Sequence, residues 1–320
     1  MIKMLRNFLA SRHAPLTVGS VLLAMVPLMS RSPYLLHLFI LFFMGVVQGE
    51  AWNLLGGFTG QPSFGHAAFY GLGAYCGGLL FHHFGISPWY GMALGGIVAA
   101  LIAIPVGWVF LRLRGIYFAL SVLALAEVLR LVFLNWRSFT NGAIGILYRF
   151  TPKSRVLPYY MTLAMAALTI FIISKIMNSK LGFYFLAIRE DQDAADSMGI
   201  NILRYKIISF VISAFLVGVV GGFYTPYMGF IAPDIVFSLP GVTLPMVLMA
   251  VLGGPGTIWG PVIGSGVMVA ISEVLRSYIG EAHLLFLGAV LIIFIAFMPD
   301  GIWGAVTRLM ARRKRLEAAS

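Results

Sequence analysis

Charge and cysteine are both scarce in this chain of 320 residues. Only 10% of the residues are charged, 60% are hydrophobic, and the mean hydropathy is +0.94. A soluble domain carries roughly 25% charged and about 45–50% apolar residues, so a water-soluble fold and a disordered chain are both excluded. The single cysteine, Cys76, excludes an internal disulfide and a multi-thiolate metal site. The composition therefore indicates an integral membrane protein.

Long apolar runs recur along the whole chain. A helix that crosses the hydrocarbon layer needs about 20 mostly apolar residues, and the runs predict an all-α, polytopic membrane helical bundle of eight to ten transmembrane helices. The first and the eighth candidates are the shortest. The ten candidate spans lie near 15–30, 34–56, 64–84, 88–110, 116–135, 158–178, 206–230, 241–254, 257–275 and 283–300.

The lysines and arginines predict the orientation, because basic residues concentrate in cytoplasmic loops. With the N-terminus inside, 15 of the 22 basic residues are cytoplasmic and six are outside. Both termini are then cytoplasmic: an N-terminal segment 1–14 and a basic tail 306–320 flank a transmembrane domain 15–305. The net charge of +11 follows this topology and does not indicate nucleic acid binding. A cleaved signal peptide is the alternative for the first span, but no small-x-small cleavage site follows it.

The longest polar insert, 187–205, holds four of the eleven acidic residues within seven positions. Early acids and a small apolar stripe predict a short amphipathic helix at the cytoplasmic face, which Gly199 would end in a left-handed cap. Such a helix is shaped to dock into a groove on a partner; a solvated connector is the alternative. The acids are Glu190, Asp191, Asp193 and Asp196, and the stripe is Ala194, Ala195, Met198 and Ile202.

The glycine-rich stretch 56–75 carries hydrophilic side chains beside an apolar run. Gly73-x-x-x-Gly77 offers a face on which another helix could pack closely. Packing does not explain the polar side chains, because polar groups at membrane depth persist only where they are buried in protein or face a watery cavity. We therefore expect a gate or pathway lining here. Its candidate residues are Gly60, Gln61, Ser63, Gly65 and His66.

A second glycine-rich segment is a strong turn signal. We expect it to join two short membrane segments as a tight hairpin on the cytoplasmic side. Contact with a nucleotide-binding partner is a less favoured role for it. Its residues are Gly253, Gly254, Pro255 and Gly256.

Four motifs carry a family resemblance. They read Gly60-Gln-Pro-Ser-Phe-Gly-His-Ala-Ala-Phe, Leu113-Arg-Gly-Ile-Tyr-Phe-Ala-Leu, Ile188-Arg-Glu-Asp-Gln-Asp-Ala-Ala-Asp-Ser-Met-Gly-Ile and Val251-Leu-Gly-Gly-Pro-Gly-Thr. In this order they resemble the M-type permease of bacterial branched-chain amino acid ABC importers, over most of residues 45–300. Asp193-Ala-Ala-x-x-x-Gly also resembles, with Asp for Glu, the loop by which ABC importer permeases engage their ATPase subunits.

The resemblance implies partners and a location. The partners are a second, H-type permease, two cytoplasmic ATPases and a periplasmic binding protein, assembled in the bacterial inner membrane. The implied substrates are leucine, isoleucine or valine, with urea, short amides or aromatic acids in some relatives. No cofactor is expected on this chain, since ATP would be hydrolysed by the partner subunits.

Glu127 and Arg130 lie inside an otherwise apolar span. A lone charge at the bilayer centre costs about 2.5–3.5 kcal/mol on insertion scales, and the i, i+3 spacing allows the two to pair. We expect a structural ion pair buried against neighbouring helices, in preference to a transport role. No phosphate loop, nucleophile elbow or paired His-Glu zinc motif occurs in the sequence, so neither a catalytic site nor a metal site is predicted.

The sequence fits two other classes of membrane protein less well: ion-coupled secondary transporters and membrane enzymes. An ion-coupled secondary transporter favours mid-membrane carboxylates in two repeated halves, and only Glu127 is deeply placed. A membrane enzyme would need His, Asp or Arg clustered at an interface, which the sequence does not show. The permease of an ATP-driven importer is therefore the favoured function.

Overall fold

The computed structural model describes residues 19, 23–29, 32–85, 87, 89–147, 154–279, 288, 301–305 and 307–308. The segment 1–14 and most of the first and tenth predicted spans lie outside this part of the chain. The described helices are α1 (Val26–Met29), α2 (Pro33–Asn53), α3 (His66–Phe84), α4 (Tyr90–Phe110), α5 (Ile116–Asn135), α6 (Arg137–Thr140), α7 (Val156–Met177), α8 (Lys180–Glu190), α9 (Gln192–Ser197), α10 (Ile202–Met228), α11 (Pro233–Val236), α12 (Leu244–Gly253) and α13 (Gly260–Ile279).

Irregular helical turns and one small sheet complete the described structure. The π-helical turn Leu54–Phe58 extends α2, a second π-helical turn, Leu239–Thr243, precedes α12, and Gly142–Ile144 forms a 3₁₀ turn. The strands β1 (Ile146–Leu147) and β2 (Phe230–Ile231) pair antiparallel. The predicted all-α, polytopic membrane bundle is confirmed.

Eight of the ten predicted spans coincide with helices in the described residues. Five helices are long and apolar enough to cross a membrane: α2 with its π-helical extension, α4, α5, α7 and α10. The eighth predicted span corresponds to the shorter apolar helix Leu239–Gly253, in keeping with its short apolar run. The remaining two coincide with α3, of 19 residues, and α13, of 20 residues.

The centre of the bundle is a close packing of α3, α4 and α10. A Cβ added at Gly73 would lie 2.1 Å from the carbonyl oxygen of Gly218, and one added at Gly91 would lie 2.2 Å from the Cα of Gly77. No side chain fits at these crossings, so the backbones are in direct contact. The predicted face around Gly73 and Gly77 is thus a helix-packing face, as small-residue spacing in membrane helices favours.

Candidate functional site

The polar insert folds as a short rigid segment, 187–201, which we call the coupling segment. Asp191 adopts an extended conformation between α8 and α9 and caps α9. Its carboxylate accepts hydrogen bonds from the backbone N–H groups of Asp193 at 2.9 Å and Ala194 at 3.0 Å. Such a cap satisfies the free N–H groups at a helix start, so Asp191 is committed to the local fold.

The end of α9 is fixed by Gly199, which has φ of +80°. Its N–H donates to the carbonyl of Asp196 at 2.8 Å, and the N–H of Ile200 donates to that of Ala195 at 3.1 Å. A Cβ added at Gly199 would meet nothing within 4 Å. The position therefore favours glycine for its left-handed backbone and not for lack of space.

The expected apolar stripe does not lie on one surface, which corrects the sequence interpretation. Ala195 is only 4% exposed because it packs inward against the bundle, whereas Met198 is 82% exposed. Glu190 and Ala194 are exposed beside Met198. A six-residue helix is too short to carry a continuous stripe, so any docking surface consists of Met198 and its exposed neighbours without Ala195.

Two polar contacts tie the coupling segment to the bundle. Asp193 accepts hydrogen bonds from both terminal nitrogens of Arg114, at 2.8 and 3.2 Å, and these bonds hold the pKa of Asp193 below its usual value. Lys206, only 2% exposed, donates to the side-chain oxygen of Gln192 at 2.7 Å. Arg114, Gln192 and Lys206 also line a cavity of about 500 Å³ between the segment and the 111–114 loop.

Arg189, just before the coupling segment's cap, lies between the two glycine-rich segments. A Cβ at Gly60, which has φ of +69°, would lie 3.1 Å from the Cα of Arg189. One at Gly256, with φ of +73°, would lie 2.1 Å from a guanidinium nitrogen of Arg189. Gly253, Gly254, Pro255 and Gly256 form the tight connection between α12 and α13. Three motifs far apart in sequence therefore meet at one end of the bundle.

A buried polar cluster, which we call the hub, joins α2, α3 and α10. His66 and Ser63 have no exposed surface. The two ring nitrogens of His66 lie 3.0 Å from the Ser63 hydroxyl and 2.7 Å from the Ser213 hydroxyl. Ser213 in turn donates to the carbonyl of Ala51 at 2.6 Å. The Ser213 hydroxyl donates its only proton to the carbonyl of Ala51. It can therefore only accept from His66, so the nitrogen Nε2 of His66 carries a proton and is the donor.

The tautomer of His66 follows from this chain of bonds. With Nε2 protonated, a neutral ring leaves Nδ1 as an acceptor for the Ser63 hydroxyl. Ser63 also accepts from the N–H of Gly65 at 3.4 Å. Every polar group of the hub thus has a partner while the histidine stays uncharged, which suits a membrane interior.

The side chains expected to form a gate or pathway lining at 60–66 are buried in this structure. Gln61 is 1% exposed, and its amide donates to the backbone carbonyls of Thr59 and Gly60. Together with the buried Ser63 and His66, it has its hydrogen-bond partners inside the protein. Gly65 is also buried, since a Cβ there would lie 2.0 Å from a backbone oxygen of α5. The polar side chains are therefore explained by internal hydrogen bonds.

The charged residues of α5 form a cluster of three. Arg130 donates from Nε to both oxygens of Glu127 at 3.0 Å and from a terminal nitrogen to Asp234 of α11. The side chains are 27% exposed for Arg130, 53% for Glu127 and 61% for Asp234. The expected ion pair exists, but it lies on an exposed face of the bundle with a third member, which corrects the expectation of burial. We call these residues the ion cluster.

Several of these contact residues were absent from the sequence-based site. Ser213 and Asp234 lie 147 and 104 residues from their partners His66 and Arg130, and no local pattern points to either. Arg114 and Arg189 lie within two of the four motifs that carry the family resemblance, so their position in the sequence could have marked them as candidate site residues. Among the described residues, no three His, Cys, Asp or Glu side chains are grouped as metal ligands.

An all-α bundle with several helices long and apolar enough to cross a membrane, and with glycine contacts at its centre, indicates a multi-pass membrane protein. The family described as "Branched-chain amino acid transport system / permease component" matches residues 34–295. The chain belongs to this family, as an M-type permease, and is a multi-pass protein of the inner membrane.

Relatives of two types resemble the chain. The high-affinity branched-chain amino acid transport system permease protein LivM of Salmonella typhimurium is 28% identical over 288 residues, which is 80% of this chain and 67% of LivM. LivM of Escherichia coli matches equally. The permease protein LivH of Salmonella typhimurium is 30% identical over 304 residues, covering 82% of this chain and 94% of LivH. No solved structure matches the chain significantly.

Proposed function

We propose that this chain is one half of the membrane pathway of an ATP-driven importer for branched-chain amino acids. The match over residues 34–295 supports it, because it covers most of the bundle and both glycine-rich segments. The likeness to both LivM and LivH, two permeases named for the same kind of transport system, supports pairing with an H-type permease. A periplasmic binding protein would deliver the substrate.

The coupling segment is the proposed contact with two cytoplasmic ATPases, which would bind and hydrolyse ATP, so that this chain needs no cofactor of its own. The observation that carries this proposal is a rigid segment with an unpacked apolar side chain. Met198 is 82% exposed, yet Asp191, Gly199 and the Arg114–Asp193 ion pair fix the backbone around it. An exposed apolar side chain on a backbone that is held in place can insert into an apolar groove of a partner protein and anchor it there.

Substitution of Met198 tests this contact without disturbing the fold, because the side chain is almost fully exposed. We expect Met198→Glu to lower uptake by tenfold or more and to lose the ATPase subunits on purification, while Met198→Leu retains both. Equal behaviour of the two variants would remove the coupling role. A thiol-reactive label on Met198→Cys, accessible only from the cytoplasmic side, tests the proposed orientation, with both termini inside.

The substrate class needs its own measurement. In liposomes that contain the assembled importer, we expect ATP-dependent uptake of labelled leucine, isoleucine and valine. Urea and short amides are the competing substrates that the wider resemblance implies. Uptake of urea or amides with none of the branched-chain amino acids would refute the proposed substrate but not the permease function.

A further inference from the structure

A cavity of about 480 Å³ lies among α2, α3, α10, α12 and α13 in the described part of the bundle. Its volume is within the range of ~300–1,000 Å³ that is usual for small-molecule sites. Most of its wall is aliphatic, with Met44, Leu248 and Met268 among the lining side chains. The hub residues do not line it, so it is separate from the site described above.

Among the polar side chains that interrupt the aliphatic wall are Gln48 of α2, Tyr70 of α3 and Tyr224 of α10. The rings of Tyr70 and Tyr224 meet edge to face, with centroids 5.7 Å apart. Within the described residues, none of the three polar groups makes a hydrogen bond. Polar groups inside a membrane bundle need a partner, and where protein supplies none, water or a polar solute must.

The cavity begins next to the hub. On α2, Gln48 precedes Ala51 by three residues, and on α3, Tyr70 follows His66 by four, so each lies about one helical turn from the hub. Tyr224 lies eleven residues beyond Ser213 on α10, which is ~16 Å along the helix. The cavity therefore runs from the hub toward the C-terminal end of α10, which faces outward in the orientation proposed above.

Opposite charges line the same cavity on α13. Glu273 and Arg276 both belong to its wall, and Glu273 accepts a hydrogen bond of 2.8 Å from the hydroxyl of Tyr34. Tyr34 lies in the first turn of α2, so these charges mark the outer end of the cavity. The cavity wall carries charge of both signs at this end, whereas Gln48 and Tyr70, its polar side chains nearest the hub, are neutral.

We propose that this cavity is the outward-facing half of the substrate path, and that Gln48, Tyr70 and Tyr224 contact a zwitterionic amino acid with an aliphatic side chain. This inference rests on the proposed function. The amide and the phenols can each donate to the α-carboxylate and accept from the α-ammonium. The substrate's side chain lies against the aliphatic wall, and Glu273 and Arg276 receive its two charges at the outer end.

The three proposed contacts nearest the hub, Gln48, Tyr70 and Tyr224, are uncharged, and this favours passage of the substrate over tight binding. A conducting site must bind favourably enough to admit a solute and weakly enough to release it. Neutral hydrogen bonds to the substrate are weaker than bonds between two charged groups. An amide and two phenols at this depth therefore guide a zwitterion without retaining it.

Uptake by the complete importer in liposomes tests the contacts. Tyr224→Phe removes one hydroxyl and keeps the ring contact with Tyr70, and Gln48→Leu removes the amide at similar size. We expect each to lower the leucine uptake rate fivefold or more at an unchanged amount of assembled complex. Tyr160→Phe is the matched control, because its hydroxyl bonds the carbonyl of Ala24 at 3.1 Å outside the cavity. Uptake by both cavity variants at the rate of this control would overturn the proposal.

A labelling measurement keeps the proposal testable if transport itself fails. In a Cys76→Ser background, Gln48→Cys is treated with a membrane-impermeant thiol reagent from the outer side of the assembled importer. We expect labelling, slowed at least fivefold by excess leucine. No labelling, or labelling that leucine leaves unchanged, would overturn this proposal. A wild-type importer that moves no branched-chain amino acid would instead overturn the proposed function.

Discussion

Replacing Ser213 by alanine removes the hydroxyl that links α10 to α2 and α3. That hydroxyl accepts from His66 at 2.7 Å and donates to Ala51 at 2.6 Å. Leaving the buried His66 N–H unpaired costs about 1–3 kcal/mol, and losing the bond to Ala51 costs about 0.5–1.5 kcal/mol. We therefore expect Ser213→Ala to lower the free energy of unfolding by about 2–4 kcal/mol.

The assay is equilibrium unfolding of the purified permease in mixed micelles titrated with a denaturing detergent. Ser209→Ala is the matched control: it lies on the same helix and is also fully buried, but its hydroxyl bonds only the backbone carbonyl of Lys206 at 2.9 Å. We expect the control to lose less than about 1 kcal/mol. Equal losses for Ser213→Ala and Ser209→Ala would refute the assignment of hydrogen bonds in the hub.

Three further predictions concern the ends of the bundle. Gly256→Ala should lower the free energy of unfolding by about 1–2 kcal/mol because of the left-handed backbone at this position, and by a further amount because the new Cβ displaces the Arg189 side chain. In a double-mutant cycle, Arg189→Ala should remove this further loss and leave the backbone cost unchanged. The pair that lowers the pKa of Asp193 stabilises the coupling segment above the unfolded pKa of about 3.9 and loses this effect as pH falls through the lower folded pKa. Both side chains are largely exposed, at 62% and 77%, so the effect should be small: a spin label on the segment should gain a little mobility in acid, and Asp193→Asn should already show that gain at neutral pH. No gain in either case would contradict the role of Arg114. Asp234→Asn should change the free energy of unfolding by less than about 1 kcal/mol, because the ion cluster is half exposed; a loss of several kcal/mol would show that the cluster is buried by a partner or by lipid.

The helices were largely predictable because hydrophobic length is a local property. The runs at 116–135 and 158–178 became α5 and α7 with ends within two residues of those expected. The turn at 253–256 and the left-handed Gly199 were also local, since glycine and proline determine them through their own backbone preferences. The short strands, by contrast, pair residues 146–147 with 230–231, and no pattern within either segment indicates the other.

The sequence alone could not distinguish the buried polar hub from polar groups that line a cavity, for a physical reason. A polar side chain at membrane depth is tolerated either by bonding inside the protein or by facing water, and both require the same residue types. His66 is internally satisfied only because Ser213, 147 residues away, lies beside it. Gln48 and Tyr224 lie in apolar runs with no local pattern that marks them, yet they line a cavity and make no hydrogen bond in the described part of the chain. Only the three-dimensional neighbours separate the two cases.

The same geometry explains why glycine occurs at two sites that never meet in sequence. Gly60 and Gly256 both lie against Arg189: a Cβ added at Gly60 would lie 3.1 Å from the Cα of Arg189, and one added at Gly256 would lie 2.1 Å from a guanidinium nitrogen, which would have to move. The N–H of Gly256 also donates to the side-chain oxygen of Asn53 on α2 at 2.7 Å. Arg189, at the end of α8, is therefore packed against both the turn before α13 and Gly60, in the segment that leads to the hub. The coupling segment and the hub are also joined directly by α10, which begins at Ile202 and carries Ser213.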